Sequence, residues 1–299
     1  MPKVSIAIPV HNGEPFLRQS LDSLLAQTYS DFELVISDNA STDGTRSICE
    51  SYASGDSRVR YFRFEDNIGG PRNFCRVAGL CHGQYLKWSA SDDYWATNML
   101  EKCVPILDQD PETVLCYPRT RLVDAEGKFL QDYEDQLHLQ DPRPSNRFIR
   151  VLEVGGLTNA PYGVIRVSAL RRTQMMTTEL GADYHFLAEL ALYGKFHVVP
   201  EVLYFRRFHP ACSSWDRTNP DHQHKYYSPG EGRDPELHTW NRIRKLFSIV
   251  GRAKLGFREK SSAIGYLAKF TIWERHAMFH ELCSLVRKRL RLSVPKTGS

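Results

Sequence analysis

Hydrophobic positions along the first hundred residues alternate between two periods. Val4–Val10 is a continuous apolar, β-branched run with Pro9 near its end, which predicts a buried strand. Phe16, Leu17, Leu21, Leu24 and Leu25 then recur at helical spacing within Glu14–Gln27. Phe32–Ser37 predicts a second strand, Thr45–Ala53 a helix and Val59–Phe64 a third strand. A loop at Asn67–Pro71 leads into a helix through Leu80, and Gln84–Trp88 predicts a fourth strand. Strand and helix alternate four times, the pattern of an open, mostly parallel α/β sheet flanked by helices. Ligands of such sheets bind beyond the carboxyl ends of the strands. Asp38, Asn39, Asp92 and Asp93 all stand at such ends.

After residue 100 the alternation loosens. Residues 99–108 predict a helix, 113–123 a strand, 155–166 a loop and a strand, 183–193 a short helix and 196–208 one or two strands. Residues 209–235 carry four Pro and no hydrophobic period, so they read as a loop able to act as a lid. Residues 236–250 and 258–290 have helical patterns with basic faces. The expected division is an α/β domain over 1–235, with a nucleotide-binding half over 1–125 and an acceptor half with the lid over 126–235. A basic helical appendage follows over 236–299.

Composition is that of an ordinary globular chain, with 41% hydrophobic and 25% charged residues among 299. The net charge of +4 hides a division: residues 240–299 carry +11 and the rest −7. That asymmetry calls for an anionic partner of the tail or a solvated basic face. Seven scattered Cys, none in a C-x-x-C pair, argue against a cysteine zinc site and read as free thiols of a cytoplasmic chain. No window has the length and apolarity of a spanning helix.

Three polar clusters carry the candidate chemistry. Asp92-Asp93 follows the fourth strand, and adjacent carboxylates are favoured where a cation neutralises them. Mg²⁺ takes one or two carboxylates together with substrate phosphates; helix capping near Thr97 is the competing role. Asp38–Thr45 (DNASTDGT) is a small, polar turn whose backbone N–H groups a nucleotide could approach, or an ordinary strand–turn–helix junction. Pro9-Val10-His11-Asn12, with Glu14, closes the first strand. The glycine patterns of P-loop and dinucleotide sites are missing.

Together these segments resemble family 2 glycosyltransferases of the GT-A fold. The resemblance rests on Ile8–Glu14 (IPVHNGE), Ser23–Tyr29 (SLLAQTY), Asp38–Thr45, Asn67–Asn73 and Ser91-Asp92-Asp93. It covers about residues 3–125 and runs more thinly to about 209. It implies inverting transfer of a sugar from a nucleotide-diphosphate donor, UDP foremost, to a glycan or lipid-linked acceptor, assisted by Mn²⁺ or Mg²⁺. By that resemblance Pro9, Val10, His11, Asn12, Glu14 and Asp38 line the nucleotide. Asn39 stands where many members have Asp facing the base. Arg72 faces the base or diphosphate, Asp92 the sugar or ribose, and Asp93 holds the metal.

The resemblance also makes Asp183, in Gly181–Leu190 (GADYHFLAEL), the catalytic base, with Ala182 in place of an expected Glu and with Glu179 and Glu189 as substitutes. An N-cap role for Asp183 is equally readable from the residues. Arg206-Arg207-Phe208-His209 resembles a family segment in which His209 would be a metal or diphosphate contact and Arg207 a phosphate clamp; a surface turn is the competing reading. Tyr162 and Gly163 lie near the sugar and acceptor, the Gly letting backbone approach. The C-terminal helices either pack on the domain or meet an anionic membrane surface. No nucleic-acid motif is present. The competing reading is a catalytically silent protein of the same fold that binds a sugar nucleotide or partner, with Asn39 and Ala182 as its support.

Overall fold

The expected central strand forms as β1 (Val4–Val10), with every residue buried. β1 pairs in parallel with β2 (Phe32–Asn39) on one side and β4 (Tyr85–Trp88) on the other, and β2 pairs in parallel with β3 (Val59–Phe64). The connecting helices are α1 (Leu17–Leu25), α2 (Thr45–Gly55) and α3 (Gly70–Gly79). The computed structural model describes residues 1–210, 212, 215, 226 and 237–292, without the side chains of 288–292. The expected lid over 210–235 therefore lies outside the described residues except at Pro210, Cys212, Trp215 and Tyr226.

The second half builds onto the same sheet. β5 (Tyr94–Trp95), α4 (Met99–Gln109), β6 (Thr113–Val123), β7 (Phe129–Tyr133), α5 (Pro144–Val154), β8 (Val164–Arg166), α6 (Val167–Leu170), α7 (Ala182–Ala191) and β9 (Lys195–Arg207) follow in order. The nine-stranded sheet runs β3-β2-β1-β4-β8-β6-β9-β5, with β7 on β6. β8 is antiparallel to β4 and β6, and β5 is antiparallel to β9. The architecture is thus the expected mixed α/β sheet flanked by helices. β7 and α5 are elements that the sequence pattern did not reveal.

The basic C-terminal region forms α8 (His238–Arg252), α9 (Phe257–Trp273) and α10 (Arg275–Leu292). It is joined to the body by buried apolar side chains. Leu246, Ile249 and Val250 of α8 and Ala263 and Leu267 of α9 share one hydrophobic cluster with Trp88, Phe148 and Phe186. A fully buried Leu contributes about 1.5–3 kcal/mol. Glu259 of α9 also caps the start of α5, accepting the Ser145 N–H at 3.0 Å and the Ser145 hydroxyl at 2.6 Å. Those bonds hold its carboxyl below the usual range. Among the described residues no helix is long and apolar enough to cross a membrane.

Candidate active site

The polar clusters converge at the carboxyl ends of β1, β2 and β4. The loop after β1 is laced to the loop after β2. The Asn12 N–H donates to Ser41 Oγ at 2.9 Å, Gly13 N–H to Thr45 Oγ1 at 2.8 Å, and Gly44 N–H to Glu14 Oε2 at 2.8 Å. Asn12 Oδ1 accepts the Thr42 N–H at 2.9 Å, and Asn12 itself takes a left-handed φ of 53°. His11, Asn12 and Glu14 remain exposed along this rim, whereas the side chains of Pro9 and Val10 are buried in the sheet. At those two positions only the backbone is available to a ligand.

Asp38 and Asn39 hold the loops instead of facing outward. Asp38 is fully buried; Oδ1 accepts the Ser41 N–H at 2.8 Å and Oδ2 the Tyr61 hydroxyl at 2.7 Å. Asn39 donates to Asn67 Oδ1 at 2.7 Å and accepts the Ile68 N–H at 3.1 Å. Both side chains are consumed by internal hydrogen bonds, which corrects the expectation that they contact a nucleotide directly. Arg72 stands exposed in the first turn of α3.

The two adjacent carboxylates separate by environment. β5 returns antiparallel to β9, pairing Tyr94 with Phe205 and Trp95 with Tyr204. This brings Tyr204 and Arg207 onto Asp93, whose Oδ1 accepts the Arg207 N–H at 2.8 Å while Oδ2 accepts the Tyr204 hydroxyl. The Tyr204 ring stacks on Trp95 at 4.1 Å. Burial, then the neighbouring Asp92 charge, pushes the Asp93 carboxyl up to about 7, against the pull of Arg206. Asp92 is half-buried, and its Oδ2 lies 2.9 Å from His209 Nε2. Asp93, expected to hold the metal, is buried with both oxygens accepting hydrogen bonds, whereas the neighbouring Asp92 is half-buried and paired with the buried His209. Among the described residues no three His, Cys, Asp or Glu cluster as a ready metal site.

Arg207 also departs from expectation. Its guanidinium donates to the Asp92 carbonyl at 2.9 Å, to the Ala125 carbonyl at 2.6 Å and to Gln19 Oε1 at 2.5 Å. It is 3% exposed, so it braces the turn that carries Asp92 and is not free to clamp a phosphate. Gly163 is required by packing: a Cβ there would lie 2.4 Å from the Cys116 carbonyl oxygen of β6. Tyr162 remains half-buried beside Tyr204, ring centroids 5.6 Å apart.

Asp183 is not the N-cap. Gly181, in a left-handed conformation, holds that position, and Asp183 sits in the first turn of α7. Its Oδ2 accepts the Thr158 hydroxyl at 2.5 Å. Thr158 has φ 55°, an outlier for a β-branched residue. The sequence reading did not select Thr158; only its adjacency to Asn159 pointed that way. Nor did it select Tyr204 or Tyr226. Of the substitutes for Asp183, Glu189 is buried between the Gln174 N–H and Arg252, and Glu179 lies 3.5 Å from Lys245. Arg206 is buried, donating to the Leu157 carbonyl at 3.0 Å and to Asn159 Oδ1. Despite burial, its surroundings, Asp93 and Asp183 among them, raise its proton affinity.

Asp135 lies behind this wall. Its Oδ2 accepts the Ala160 N–H at 2.5 Å, while Oδ1 has no hydrogen-bond partner among the described residues. Burial pushes its carboxyl up to about 6, partly offset by the Ala160 N–H and Arg206. A raised native pKa means that its stabilising contribution is complete below pH about 4 and is lost as pH rises through about 6. Asp135→Asn keeps the Ala160 bond and removes the buried charge. It is expected to melt higher than wild type at pH 7.5, by an amount of order 2–3 kcal/mol, and to lose that advantage at pH 4. Thermal melts at the two pH values check this; an advantage independent of pH would contradict it.

The Glycosyl transferase family 2 model matches residues 5–172. An uncharacterised protein of Mycobacterium tuberculosis is 26% identical over 279 residues, spanning 91% of this chain and 74% of the relative. An uncharacterised glycosyltransferase of Rickettsia bellii is 36% identical over 132 residues, 43% of this chain and 19% of the relative. Among solved structures, S. aureus TarS 1-349 in complex with UDP-GlcNAc superposes with TM-score 0.61 at 19% identity, over 92% of this chain and 74% of that one. The mannosyltransferase PcManGT from Pyrobaculum calidifontis, in complex with GDP-Man and Mn²⁺, gives TM-score 0.53 at 16% identity, over 97% and 87%.

Proposed function

Since the chain belongs to glycosyl transferase family 2, we propose that it transfers a sugar from a nucleotide-diphosphate donor to an acceptor hydroxyl with inversion at the anomeric carbon. The observation that carries this reading is the pairing of two sites at one sheet edge. Asp92 beside His209 offers cation donors, and Asp183 beside Thr158 offers an oriented carboxylate. The charges of both Asp92 and Asp183 act on the phenol of Tyr226, which supports the reading that the two sites belong together.

The donor set fits a divalent cation. One carboxylate oxygen and one imidazole nitrogen, 2.9 Å apart, leave the remaining positions to diphosphate oxygens and water. The nitrogen donor favours Mn²⁺ over Mg²⁺. When bound, the cation supplies Lewis-acid stabilisation of the leaving diphosphate. The chain's own residues do the rest. The laced loops after β1 and β2 present exposed His11, Asn12 and Glu14 to the nucleotide. Arg207 fixes the Asp92 turn, and Asp93 anchors that turn to β9. Asp183 takes the proton of the attacking hydroxyl, and Thr158 sets which of its oxygens is free to do so. Incubation with a panel of UDP- and GDP-sugars and Mn²⁺ tests the reading by nucleotide release. Release with at least one donor is expected; none with any donor or acceptor extract favours a silent binding protein.

The finer choice of acceptor rests on α9 and α10. Phe257, Ile272, Trp273 and Phe279 are 88%, 59%, 62% and 69% exposed, interspersed with exposed Arg258, Lys269 and Arg275. Apolar side chains among cations suit an anionic bilayer surface and a lipid-linked acceptor. The protein is expected to pellet with phosphatidylglycerol vesicles at low salt and to remain in solution at high salt. Failure to pellet at low salt assigns the basic face to solvent.

A further inference from the structure

The transfer scheme above leaves Tyr226 without a part, although this side chain stands in the middle of the site. Its ring lies against the first residue of α3: a Cβ on Gly70 would fall 2.5 Å from Tyr226 Cζ and 2.9 Å from its hydroxyl oxygen. Gly70 adjoins Gly69, whose carbonyl oxygen accepts from the Asn39 amide at 3.4 Å, so the ring lies near the loop that follows β2. The hydroxyl end reaches the other side. Asp183, Asp92 and Arg206 all act on it, and Tyr162 feels it in turn. Tyr226 therefore sits against Gly70 at the start of α3, where the charges of Asp92 and Asp183 both act on its phenol, and can border the interval that a sugar joined to a diphosphate must occupy. The missing side chain at Gly70 admits the ring there.

A tyrosine suits such a place. It is rigid, offers an apolar face to sugar C–H groups and a hydroxyl to sugar oxygens, and loses little conformational entropy when ordered. We propose that Tyr226 positions the donor's sugar, packing on it between Asp92 and Asp183, and that Gly70 is the residue that makes room for it. This rests on the transfer reading above. It adds a recognition element specific for the sugar and not for the nucleotide.

The test compares affinities for a nucleotide diphosphate and for its sugar conjugate. UDP with UDP-N-acetylglucosamine and UDP-glucose, and GDP with GDP-mannose, serve as probes in the presence of Mn²⁺, measured by calorimetry. Tyr226→Ala is expected to weaken binding of the preferred nucleotide sugar about tenfold, the scale of one lost aromatic contact, and to change binding of the parent diphosphate less than about twofold. Gly70→Ala displaces the ring and should reproduce that selective loss. In the Tyr226→Ala background it should add nothing, since the clash is gone. Tyr226→Phe should restore most of the affinity. Equal weakening of diphosphate and conjugate, no change in either, or full additivity of Gly70→Ala with Tyr226→Ala would overturn the proposal. Wild type that binds neither diphosphate nor conjugate overturns the transfer reading itself, and this inference with it.

Discussion

Asp183→Asn is expected to reduce sugar transfer by about 10²–10⁴-fold, the usual contribution of a positioned general base, while nucleotide binding with Mn²⁺ stays near wild type. The carboxylate is held by a short bond from Thr158 and sits in the first turn of α7, whose N-terminus favours negative charge. Asparagine keeps the shape and can still accept from Thr158, but it cannot take a proton from the acceptor. The loss should therefore appear in kcat and leave the binding of the nucleotide unaltered. Thr158→Val gives the companion measurement. It removes the hydroxyl that orients the carboxylate but leaves the carboxylate in place, so it should cost less than Asp183→Asn. Unchanged transfer in Asp183→Asn would end the assignment and return Glu179 to consideration.

Asp92 and Asp93 are expected to fail in different ways when removed. Asp92→Ala, and separately His209→Ala, should abolish the Mn²⁺ enhancement of nucleotide binding; Asp92→Ala should leave the melting temperature nearly unchanged, since Asp92 is half-buried, whereas His209 is buried against Phe16 and its loss should lower melting modestly. Several kcal/mol of leaving-group stabilisation would be lost with the cation, about a thousandfold or more in turnover. Asp93→Ala should instead destabilise the fold by about 2–4 kcal/mol, because the Tyr204 hydroxyl and the Arg207 N–H are left buried without an acceptor. Mn²⁺ titration calorimetry and thermal melts on the same variants separate the two effects. If Asp93→Ala lost the metal with its melting unchanged while Asp92→Ala kept it, the division of roles would be reversed.

Much of this arrangement is legible from local pattern. The strands at Val4–Val10, Val59–Phe64 and Thr113–Val123 form where the apolar runs predict them. Val4–Val10 is buried throughout and Thr113–Val123 nearly so, whereas Val59–Phe64 is only partly buried, yet each run carries its own apolar pattern. β7 is absent from that pattern because Phe129–Tyr133 (FLQDY) is an exposed edge strand without alternation, held by its pairing to β6 and by the Leu157 N–H bond to the Tyr133 hydroxyl. The helical pattern over 258–290 was read as continuous, yet the chain forms two helices there, α9 ending at Trp273 and α10 starting at Arg275. The basic tail looked like an appendage because charge is visible in sequence, whereas the burial of Leu246 and Leu267 against Phe148 and Phe186 is not.

The sequence by itself determined that acidic and amide side chains would gather at the carboxyl ends of β1, β2 and β4, because strand, turn and helix are set by short-range spacing. It did not decide which of those side chains would face a ligand. Asp92 and Asp93 are adjacent and chemically alike. They differ only because β9, more than a hundred residues later, delivers Tyr204 and Arg207 to one of them and His209 to the other. Asp38 and Asn39 were likewise turned inward by Tyr61, Asn67 and Ile68. Hydrogen-bond satisfaction inside a dry interior is a long-range property. It takes a buried carboxylate away from solvent as soon as a donor from another strand can reach it. That competition was settled only when β5 paired with β9.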